Sequence, residues 1–414
     1  MPSAQDPAKL AHESEVPAAS GPPNAHSRSP APKTPLRRLA AFGIVAAGFL
    51  CVIGAYMAGL TDKTATERDY VEYWAAGQQV VHHANPYDIA GVLQVERAVG
   101  YASDRPIITP SPPIIFLIAY PLGFVSVKTG LILWMIAILL CLTVSIFLIW
   151  SMNGYPDNPF HIFGYLFPPA VACLMAGQLG VFLLLGIVLF LRFHRTHPFF
   201  AGAALLPCVL KPHLFLPFAC ALLLWIMGRR AFAVLTGFVT ALIASCALTF
   251  LFGPAIWQQY LGLAHNATLL PLFVPTLSVA LRFLVARGHP WVQFLPEAAA
   301  CIWAIWFYAA RRARWDWNHH GLLVLLVSLL CTPYGWFTDE AVLLPAVLAG
   351  VYRAISARRS LIPLYVIVAA ALIEVLAPAQ LTSPDYLWTT PAWLAWYVYA
   401  TRDSQFEPQN AARA

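Results

Sequence analysis

Long apolar runs recur along most of the chain, and they constrain its fold more than any other feature. Several approach the roughly 20 residues that a helix needs to cross a bilayer core. Inside a bilayer the backbone must satisfy its own hydrogen bonds, so each run is predicted to be helical. The sequence therefore predicts an all-α polytopic membrane protein with about 11 to 13 membrane segments. The runs lie at about 39–60, 114–127, 129–150, 162–175, 179–193, 199–210, 213–227, 231–252, 291–310, 321–333, 339–352, 361–377 and 391–400.

The composition agrees with a membrane protein and argues against a soluble or nucleic-acid-binding one. Hydrophobic residues make up 59% of the 414 residues, charged residues make up 11%, and the mean hydropathy is +0.67. Soluble cores cannot bury that much apolar surface. The net charge of +6 comes from short Lys and Arg clusters between apolar runs rather than from one basic face. We therefore predict a lipid bilayer as a partner and no nucleic acid.

The eight cysteines all fall inside apolar runs, and none shows a CxxC or Cys/His spacing. Such a distribution indicates neither a disulfide framework nor a metal site. Free cysteines behave as small hydrophobic residues, so we expect them to pack in the helical core.

The chain divides into one long membrane domain and two tails. Residues 1–35 are rich in Pro, Ala and Ser and lack hydrophobic periodicity, so they are predicted to be a disordered cytoplasmic tail. Residues 36–403 are predicted to form the transmembrane domain, and 404–414 a C-terminal tail. The basic flank at 33–38 places the N-terminus in the cytoplasm by the positive-inside rule.

Two long polar segments, at 61–111 and 253–290, are predicted to be loops on the outer face. In the first, 74–83 is predicted to be a short helix lying at the interface, and the turn signal at 85–88 ends it. In the second, 277–286 contains Arg282 and is predicted to be an amphipathic helix on the surface.

One apolar run is predicted not to cross the membrane. Three runs lie between the basic breaks at Lys128 and Arg192, and an odd number contradicts the positive-inside rule. The run at 162–175 is short and contains Pro168 and Pro169, so it is predicted to be broken or re-entrant.

Several polar residues fall on the outer face in this topology. Ionisable residues at membrane depth are rare and usually functional, so their convergence predicts a site there. Taken singly, each is also open to a milder interpretation as a helix cap or a snorkelling charge. The residues on this shared face are Asp69, Glu72, Gly177-Gln178, Lys211-Pro212-His213 and Thr338-Asp339-Glu340.

Lys211 lies where two apolar runs of about 12 and 15 residues meet, each shorter than a full span. Pro212 disfavours helix at Lys211, so the two runs are predicted to form a hairpin whose tip reaches the outer boundary. An ammonium group held there needs an anion as its partner. The alternative is a lysine that snorkels to lipid headgroups.

The order of short motifs resembles glycosyltransferase family 87, a group of polyprenol-phosphate-sugar-dependent enzymes that includes mycobacterial mannosyltransferases. The resemblance covers about residues 38 to 400. Each motif alone is weak, whereas six in sequence are fairly specific. The motifs are Arg68-Asp69-Tyr70-x-x-Tyr73-Trp74-Ala75-Ala76, Asn85-Pro86-Tyr87-Asp88, Pro112-Pro113 with Pro121-Leu122, Gly177-Gln178, Leu210-Lys211-Pro212, and Thr332-Pro333-x-x-Trp336 leading into Leu343-Leu344-Pro345.

The resemblance implies a bacterial inner-membrane enzyme of the GT-C fold whose site faces the periplasm. It would move a sugar, mannose or another hexose or pentose, from a polyprenyl-phosphate donor to a lipid or glycan acceptor with inversion. By similarity Asp69 would be the catalytic base, because inversion needs a carboxylate that accepts the proton of the acceptor hydroxyl. A cation near the phosphate would help, and Lys211 is the first candidate. The other residues expected to bind substrate are His213, Glu72, Arg105, Gln178, Tyr87, Trp336, Asp339 and Glu340.

We expect no cofactor and no required metal. Hard cations prefer several oxygen ligands from a tight carboxylate group, and Asp69 and Glu72 have no acidic neighbour until Asp88. Asp339 and Glu340 are able to join them in space, which leaves a metal site open.

The chain departs from the family after Trp336. Many relatives carry one or two histidines there, whereas this chain has Thr338-Asp339-Glu340, which puts a histidine-dependent step in doubt. Two other functions stay open. A transporter usually shows repeated halves and charges near the midplane, and no convincing repeat is present. A flippase for lipid-linked glycans would bind the same lipid without needing Asp69.

Overall fold

The computed structural model describes residues 35–266, 273–377 and 383–402. The two predicted tails lie outside these residues, apart from their boundary positions. All regular secondary structure in the described ranges is helical and no strand occurs in them, so the chain is an all-α membrane protein. The α-helices are α1 (Pro35–Ala58), α2 (Asp62–Thr66), α3 (Tyr70–Val81), α4 (Ile89–Ala98), α5 (Phe116–Ala119), α6 (Val127–Met152), α7 (Pro168–Ala176), α8 (Gly180–Phe193), α9 (Pro198–Ala203), α10 (Leu216–Arg229), α11 (Phe232–Thr249), α12 (Ile256–Asn266), α13 (Leu277–Val285), α14 (Leu295–Arg311), α15 (Leu322–Cys331), α16 (Leu344–Ser356), α17 (Ile362–Leu376) and α18 (Thr389–Thr401).

Short 3-10 helices connect many of these elements, and one π-helical turn, Trp317–Gly321, precedes α15. Several begin at a proline, whose missing N–H group is tolerated in a first turn. The 3-10 helices are Pro113–Ile115, Tyr120–Phe124, Pro159–Leu166, Leu206–Leu210, Pro212–Leu214, Phe250–Phe252, Pro290–Phe294, Arg312–Arg314, Phe337–Leu343 and Ser383–Tyr386.

Three helices of the described chain are long and apolar enough to cross a membrane: Val127–Met152, Phe232–Phe252 and Pro290–Arg314. A fourth span results if the bent pair Pro159–Leu166 and Pro168–Ala176 is counted as one. Most of the other predicted spans appear as apolar helices of only 10–17 residues. The predicted number of 11 to 13 segments therefore includes many helices too short to cross a bilayer alone.

The predicted break in the run at 162–175 is confirmed, while the failure of this run to cross the membrane stays a prediction. Pro159–Leu166 and Pro168–Ala176 meet at 42° around Phe167, whose backbone is extended. Pro168 disfavours helical backbone at the preceding residue, which explains where the break falls.

Helix α3 differs from the short interfacial helix predicted at 74–83. It begins four residues earlier, at Tyr70, and ten of its twelve residues are buried. Gly77 and Gly123 let its backbone cross the turn Tyr120–Phe124, because a Cβ on Gly123 would lie 2.4 Å from the Gly77 carbonyl oxygen. The indole N–H of Trp74 donates to the Val125 carbonyl at 3.0 Å. Helix α3 is thus part of the core, and its N-terminal residues are held in place.

Helix α13 lies at the surface as predicted, with Leu284 and Val285 exposed, but its charged residue faces inward rather than outward. Arg282 is fully buried, and the Ser278 hydroxyl donates to the Cys331 carbonyl at the end of α15, at 2.8 Å. The correction follows from contacts distant in sequence, which the local pattern of charges does not report.

Candidate functional site

The turn between α7 and α8 positions Gln178 over the start of α3. Gly177 adopts a left-handed conformation with φ = 77°, and a Cβ there would lie 2.5 Å from the Cβ of Tyr70. Glycine suits this position because it adopts a positive φ readily and has no Cβ to clash with Tyr70. The indole N–H of Trp134 donates to the Gly177 carbonyl at 2.8 Å, so the turn is also anchored to α6.

Asp69 precedes the first residue of α3, but its carboxylate does not cap that helix. Instead Oδ2 accepts a hydrogen bond from the Gln178 side-chain amide at 2.9 Å. The Gln178 carbonyl oxygen accepts in turn from the Tyr73 hydroxyl at 3.3 Å. Asp69 is therefore held from one side by a side chain 109 positions away in sequence.

Asp69 lines a cavity of about 280 Å³, and it is the one charged residue among the described lining residues. Aromatic rings form much of the wall, and Phe337 stacks on Tyr386 with ring centroids 4.5 Å apart. A half-buried carboxylate among aromatic rings is the combination of apolar wall and few polar groups that is typical of small-molecule sites. The other lining residues are Ala172, Met175, Ala176, Pro275, Trp336, Phe337, Thr338, Val375 and Tyr386.

The segment after Trp336 packs between α7 and α8, which brings its polar residues to the same end of the molecule. The thiol of Cys173 donates to the Thr338 carbonyl at 3.0 Å. Gly180 allows that approach, since a Cβ there would lie 2.2 Å from the same oxygen.

Lys211 and Asp339 form a buried ion pair beside the cavity, with 2.7 Å between Nζ and Oδ1. The second oxygen of Asp339 accepts from the backbone N–H of Trp336 at 2.9 Å. The anionic partner of the Lys211 ammonium, at the tip of the hairpin, is therefore Asp339, within the protein. Lys211 is only 9% exposed, so it does not snorkel, and the argument that it needs a phosphate partner no longer holds.

His213 lies next to this pair, and its ring packs edge-on against Tyr334 at 5.7 Å between centroids. Its Nε2 atom is buried without a hydrogen-bond partner among the described residues. Burial lowers the pKa of His213 to about 4; the neighbouring Lys211 acts in the same direction, and Asp339 opposes it. The imidazole is therefore neutral at physiological pH.

Glu72 is buried in the first turn of α3, three residues after Asp69. Burial raises the pKa of Glu72 to about 8, an effect opposed by the Tyr73 hydrogen bond and reinforced by the charge of Asp69. Glu72 is thus largely protonated at neutral pH and does not line the described cavity.

Glu340 faces away from this group, so its predicted role in substrate binding has no support in the structure. Its oxygens accept from the Thr390 hydroxyl at 2.7 Å and from the indole N–H of Trp393 at 2.8 Å. The Thr389 hydroxyl shares its hydrogen between Glu340 at 2.6 Å and the Tyr386 carbonyl at 2.7 Å. Successive side chains on a 3-10 helix point about 120° apart, which sends Asp339 and Glu340 to different neighbours. Glu340 anchors α18.

Tyr87 and Arg105 are also separate from the cavity. The Tyr87 hydroxyl donates to the Ser111 carbonyl at 2.9 Å, and its ring packs on Phe116 and Tyr260. Arg105 is exposed in the loop after α4, and among the described contacts none joins its side chain to the site. Tyr87 therefore fastens the polar loop to the point where the chain returns to the helical core.

Arg68 is a site residue that the sequence reasoning named only as part of a motif. Its guanidinium donates to the carbonyl of Met175, a residue that lines the cavity, and its Nε donates to the Thr64 carbonyl at 3.1 Å. These contacts hold a positive charge at the rim next to Asp69. Its position immediately before Asp69 was the available signal.

The described residues contain no group of three His, Cys, Asp or Glu side chains arranged to hold a metal ion. The oxygens of Asp339 and Glu340 are already occupied by protein donors, and those two carboxylates diverge.

A model of glycosyltransferase family 87 matches residues 111–333, which is more than half of the chain. No curated protein and no solved structure gives a match. The matched range includes Gln178, Lys211 and His213, whereas Asp69 and Asp339 lie outside it. Their assignment to the site rests on the hydrogen bonds and the cavity described above.

Proposed function

This chain belongs to glycosyltransferase family 87, and from that membership and the Asp69 cavity we propose an inverting transfer of a sugar from a polyprenyl phosphate. The sugar would be mannose or another hexose or pentose, and the acceptor a lipid or a glycan. The observation that carries the proposal is the Asp69 carboxylate, which lines an aromatic cavity and is held from behind by Gln178.

Asp69 would act as the catalytic base. The acceptor hydroxyl gives its proton to Asp69 while its oxygen forms a bond to the anomeric carbon of the donor. The bond from that carbon to the phosphate oxygen breaks, and the lipid phosphate leaves with the electron pair. One carboxylate is enough for inversion because a phosphate is already a good leaving group.

An apolar groove supports a lipid-linked donor. It has a volume of about 170 Å³ and lies among Pro159–Leu166, α16 and α17, with walls of aliphatic and aromatic side chains. Helix α17 borders both the groove, through Leu372, and the Asp69 cavity, through Val375. A polyprenyl chain in this groove would have its phosphate near Asp69.

The leaving phosphate would be neutralised by Arg68 rather than by Lys211. Arg68 stands next to Asp69 in the sequence and donates to the carbonyl of Met175, which lines the cavity, and Lys211 is paired with Asp339. A guanidinium also matches the geometry of phosphate oxygens, to which it donates two parallel hydrogen bonds.

The distribution of charge favours a site that faces the periplasm of a bacterial inner membrane. Helices α8, α10 and α16 start beside Gln178, Lys211 and Asp339 and end at basic residues. At that far end the Arg229 guanidinium donates to the carbonyls of Arg312 at 3.0 Å and Ala313 at 3.2 Å, which joins two basic clusters. Basic clusters prefer the cytoplasm, which puts Asp69 on the other side.

The orientation can be tested with an impermeant thiol reagent on intact cells. Cysteine at the exposed position 88 should be labelled from outside, and cysteine at the exposed position 358 should not. Labelling in the reverse order would contradict the periplasmic site.

The activity can be tested with purified protein and a panel of polyprenyl-phosphate sugars. We expect transfer from one of them, and an Asp69→Asn variant that binds the same donor but transfers at least about a hundredfold more slowly. The alternative function, a flippase, predicts movement of the lipid across vesicles without sugar transfer by the unmodified protein.

A further inference from the structure

We propose that the adjoining ends of α10 and α14 bind the headgroup of an anionic phospholipid. The site is an arginine cluster formed by Arg229, Arg230, Arg312 and Arg314, all four of them exposed. It lies at the end of the molecule away from Asp69, and its occupation does not depend on the role of Asp69 in sugar transfer.

A hydrogen-bonded contact joins the two helix ends and fixes one guanidinium of the cluster. The Nη2 group of Arg229 donates to the Arg312 carbonyl at 3.0 Å and to the Ala313 carbonyl at 3.2 Å. Carbonyls at a helix end have no partner within the helix and carry partial negative charge, so a cation is stable beside them. The Nε and Nη1 groups of Arg229 take no part in these bonds and stay available for a ligand.

The cluster lacks a counter-charge within the described part of the protein. None of the described ion pairs includes one of its members. The acid that follows it in sequence, Asp316, pairs with Arg195 at 3.6 Å and accepts from the backbone N–H of Asn318 at 3.1 Å. The adjoining cations repel one another, and an anion between them would offset that repulsion.

The residue type of the cluster favours a phosphate. The positive-inside rule accounts for positive charge at this end, but lysine and arginine meet that rule equally well. All four members of the cluster are arginine. A planar guanidinium donates paired hydrogen bonds to phosphate oxygens, whereas a lysine ammonium acts as a point charge.

A hydroxyl group lies beside the cluster and adds a neutral donor. A Cβ at Gly228 would lie 3.0 Å from the Tyr308 hydroxyl oxygen, so glycine lets Tyr308 reach the end of α10, next to Arg229. The Tyr308 ring packs edge-on against Trp315 with 5.0 Å between centroids, which fixes its direction. No contact of the described residues uses the hydroxyl as a hydrogen-bond donor.

The apolar surface next to the cluster points to a lipid rather than a soluble anion. The helical segment Pro290–Arg314 is long and apolar enough to cross a membrane, so the arginines at its end lie at the level of the headgroups. Ile302 and Trp306 of α14 and Met227 of α10 are exposed on the membrane side of the cluster. Acyl chains would pack along these side chains while the phosphate reaches the arginines. A zwitterionic headgroup would bring a cation of its own, which makes an anionic lipid the better partner.

The test measures lipid binding to the purified full-length protein by native mass spectrometry, with dioleoyl phosphatidylglycerol and dioleoyl phosphatidylcholine as competing probes. We expect a preference for phosphatidylglycerol. Arg312→Gln combined with Arg314→Gln should lower this preference about twenty-five-fold, since each arginine near an anionic membrane surface contributes about fivefold in affinity. Both side chains are exposed and the backbone carbonyls that bind Arg229 remain, so this variant should fold.

Two further variants separate a headgroup site from general surface charge. Arg105→Gln combined with Arg358→Gln removes the same charge from two exposed positions, one at each end of the molecule, and should keep the preference. Arg312→Lys combined with Arg314→Lys keeps the charge but lacks the paired donors, so it should lose part of the preference.

Three results would overturn the proposal. An unchanged preference in the folded Arg312→Gln, Arg314→Gln variant would exclude the cluster. An equal loss in the matched control, or full binding by the lysine variant, would reduce the effect to general surface charge. Displacement of phosphatidylglycerol by an excess of inorganic phosphate at constant ionic strength would indicate a site for a soluble anion. None of these results involves sugar transfer, so each leaves the proposed role of Asp69 unaffected.

Discussion

Asp69 and Glu340 are both carboxylates near residues 336–343, to which Glu340 itself belongs, yet their surroundings differ. Glu340 is buried and accepts hydrogen bonds from Thr389, Thr390 and Trp393, all on α18. Among the described residues Asp69 has one such donor, Gln178, and it faces a cavity. A carboxylate whose oxygens are all bound by protein donors stabilises the fold, whereas one with an oxygen directed at a cavity is free to accept a proton.

The Lys211–Asp339 pair belongs with Glu340 in this comparison, and it gives the largest expected effect on stability. Lys211→Ala would leave Asp339 buried without its cation, which typically destabilises a protein by about 3–5 kcal/mol. Lys63→Ala is the matched control. It removes an exposed ion pair at 3.9 Å and should change stability by less than about 1 kcal/mol.

Thermal or denaturant unfolding in detergent would measure this difference. If Lys211→Ala unfolds like the unmodified protein while its KM for donor rises sharply, Lys211 binds the phosphate after all, and the pair belongs with Asp69 instead.

Glu340→Gln should give the next largest effect on stability. The glutamine NH₂ cannot accept, so at least one of the buried donors of Thr389, Thr390 or Trp393 loses its partner. We expect a loss of about 2 kcal/mol in the free energy of unfolding. Glu67→Gln, whose side chain is exposed, should have almost none. Equal effects of the two variants would show that the α18 contacts do not stabilise the fold.

Glu72 predicts a smaller, pH-dependent effect that sharpens the comparison. Its pKa is about 8 in the folded protein and 4.5 without the protein environment, so between these values the folded state binds more protons than the unfolded state. Stability from this group is complete below about pH 4.5 and is lost as the pH rises through about 8, by about 1.4 kcal/mol per pH unit. The difference in unfolding free energy between the unmodified protein and Glu72→Gln should follow this slope. A difference independent of pH would mean that Glu72 is ionised.

Removal of divalent metals should leave the rate of sugar transfer unchanged, the smallest effect in this series. Asp339 is occupied by Lys211 and Trp336, and Glu340 by α18, so neither is available to join Asp69 around a cation. Full loss of transfer in a chelator, restored by magnesium or manganese, would contradict this.

The sequence predicts the helical membrane fold, and the basic breaks at Arg192, Arg229 and Arg353 indicate which helix ends lie away from Asp69. The break at Lys128 misleads, because α6 starts at the end of the molecule where Trp134 contacts Gly177. The break at Phe167 was also predictable, since proline acts on its immediate neighbour.

Other features depend on contacts that no local pattern contains. The sequence places Asp339 and Glu340 together, and only the 3-10 geometry separates their directions. Charges on 277–286 predict a surface helix, although the long-range packing of α13 buries Arg282. The anion that Lys211 requires was predicted to be a phosphate, yet Asp339, 128 positions away, supplies it.

The most direct test of the account compares Asp69→Asn and Glu340→Gln in the same preparation, with kcat and the melting temperature measured for each. Asparagine keeps an oxygen for the Gln178 amide, so Asp69→Asn should melt like the unmodified protein and lose at least about a hundredfold in kcat. Glu340→Gln should melt lower and keep its kcat at temperatures where it is folded. An Asp69→Asn variant that retains turnover, or a stably folded Glu340→Gln variant that loses it, would contradict the assignment of the reaction to the Asp69 cavity.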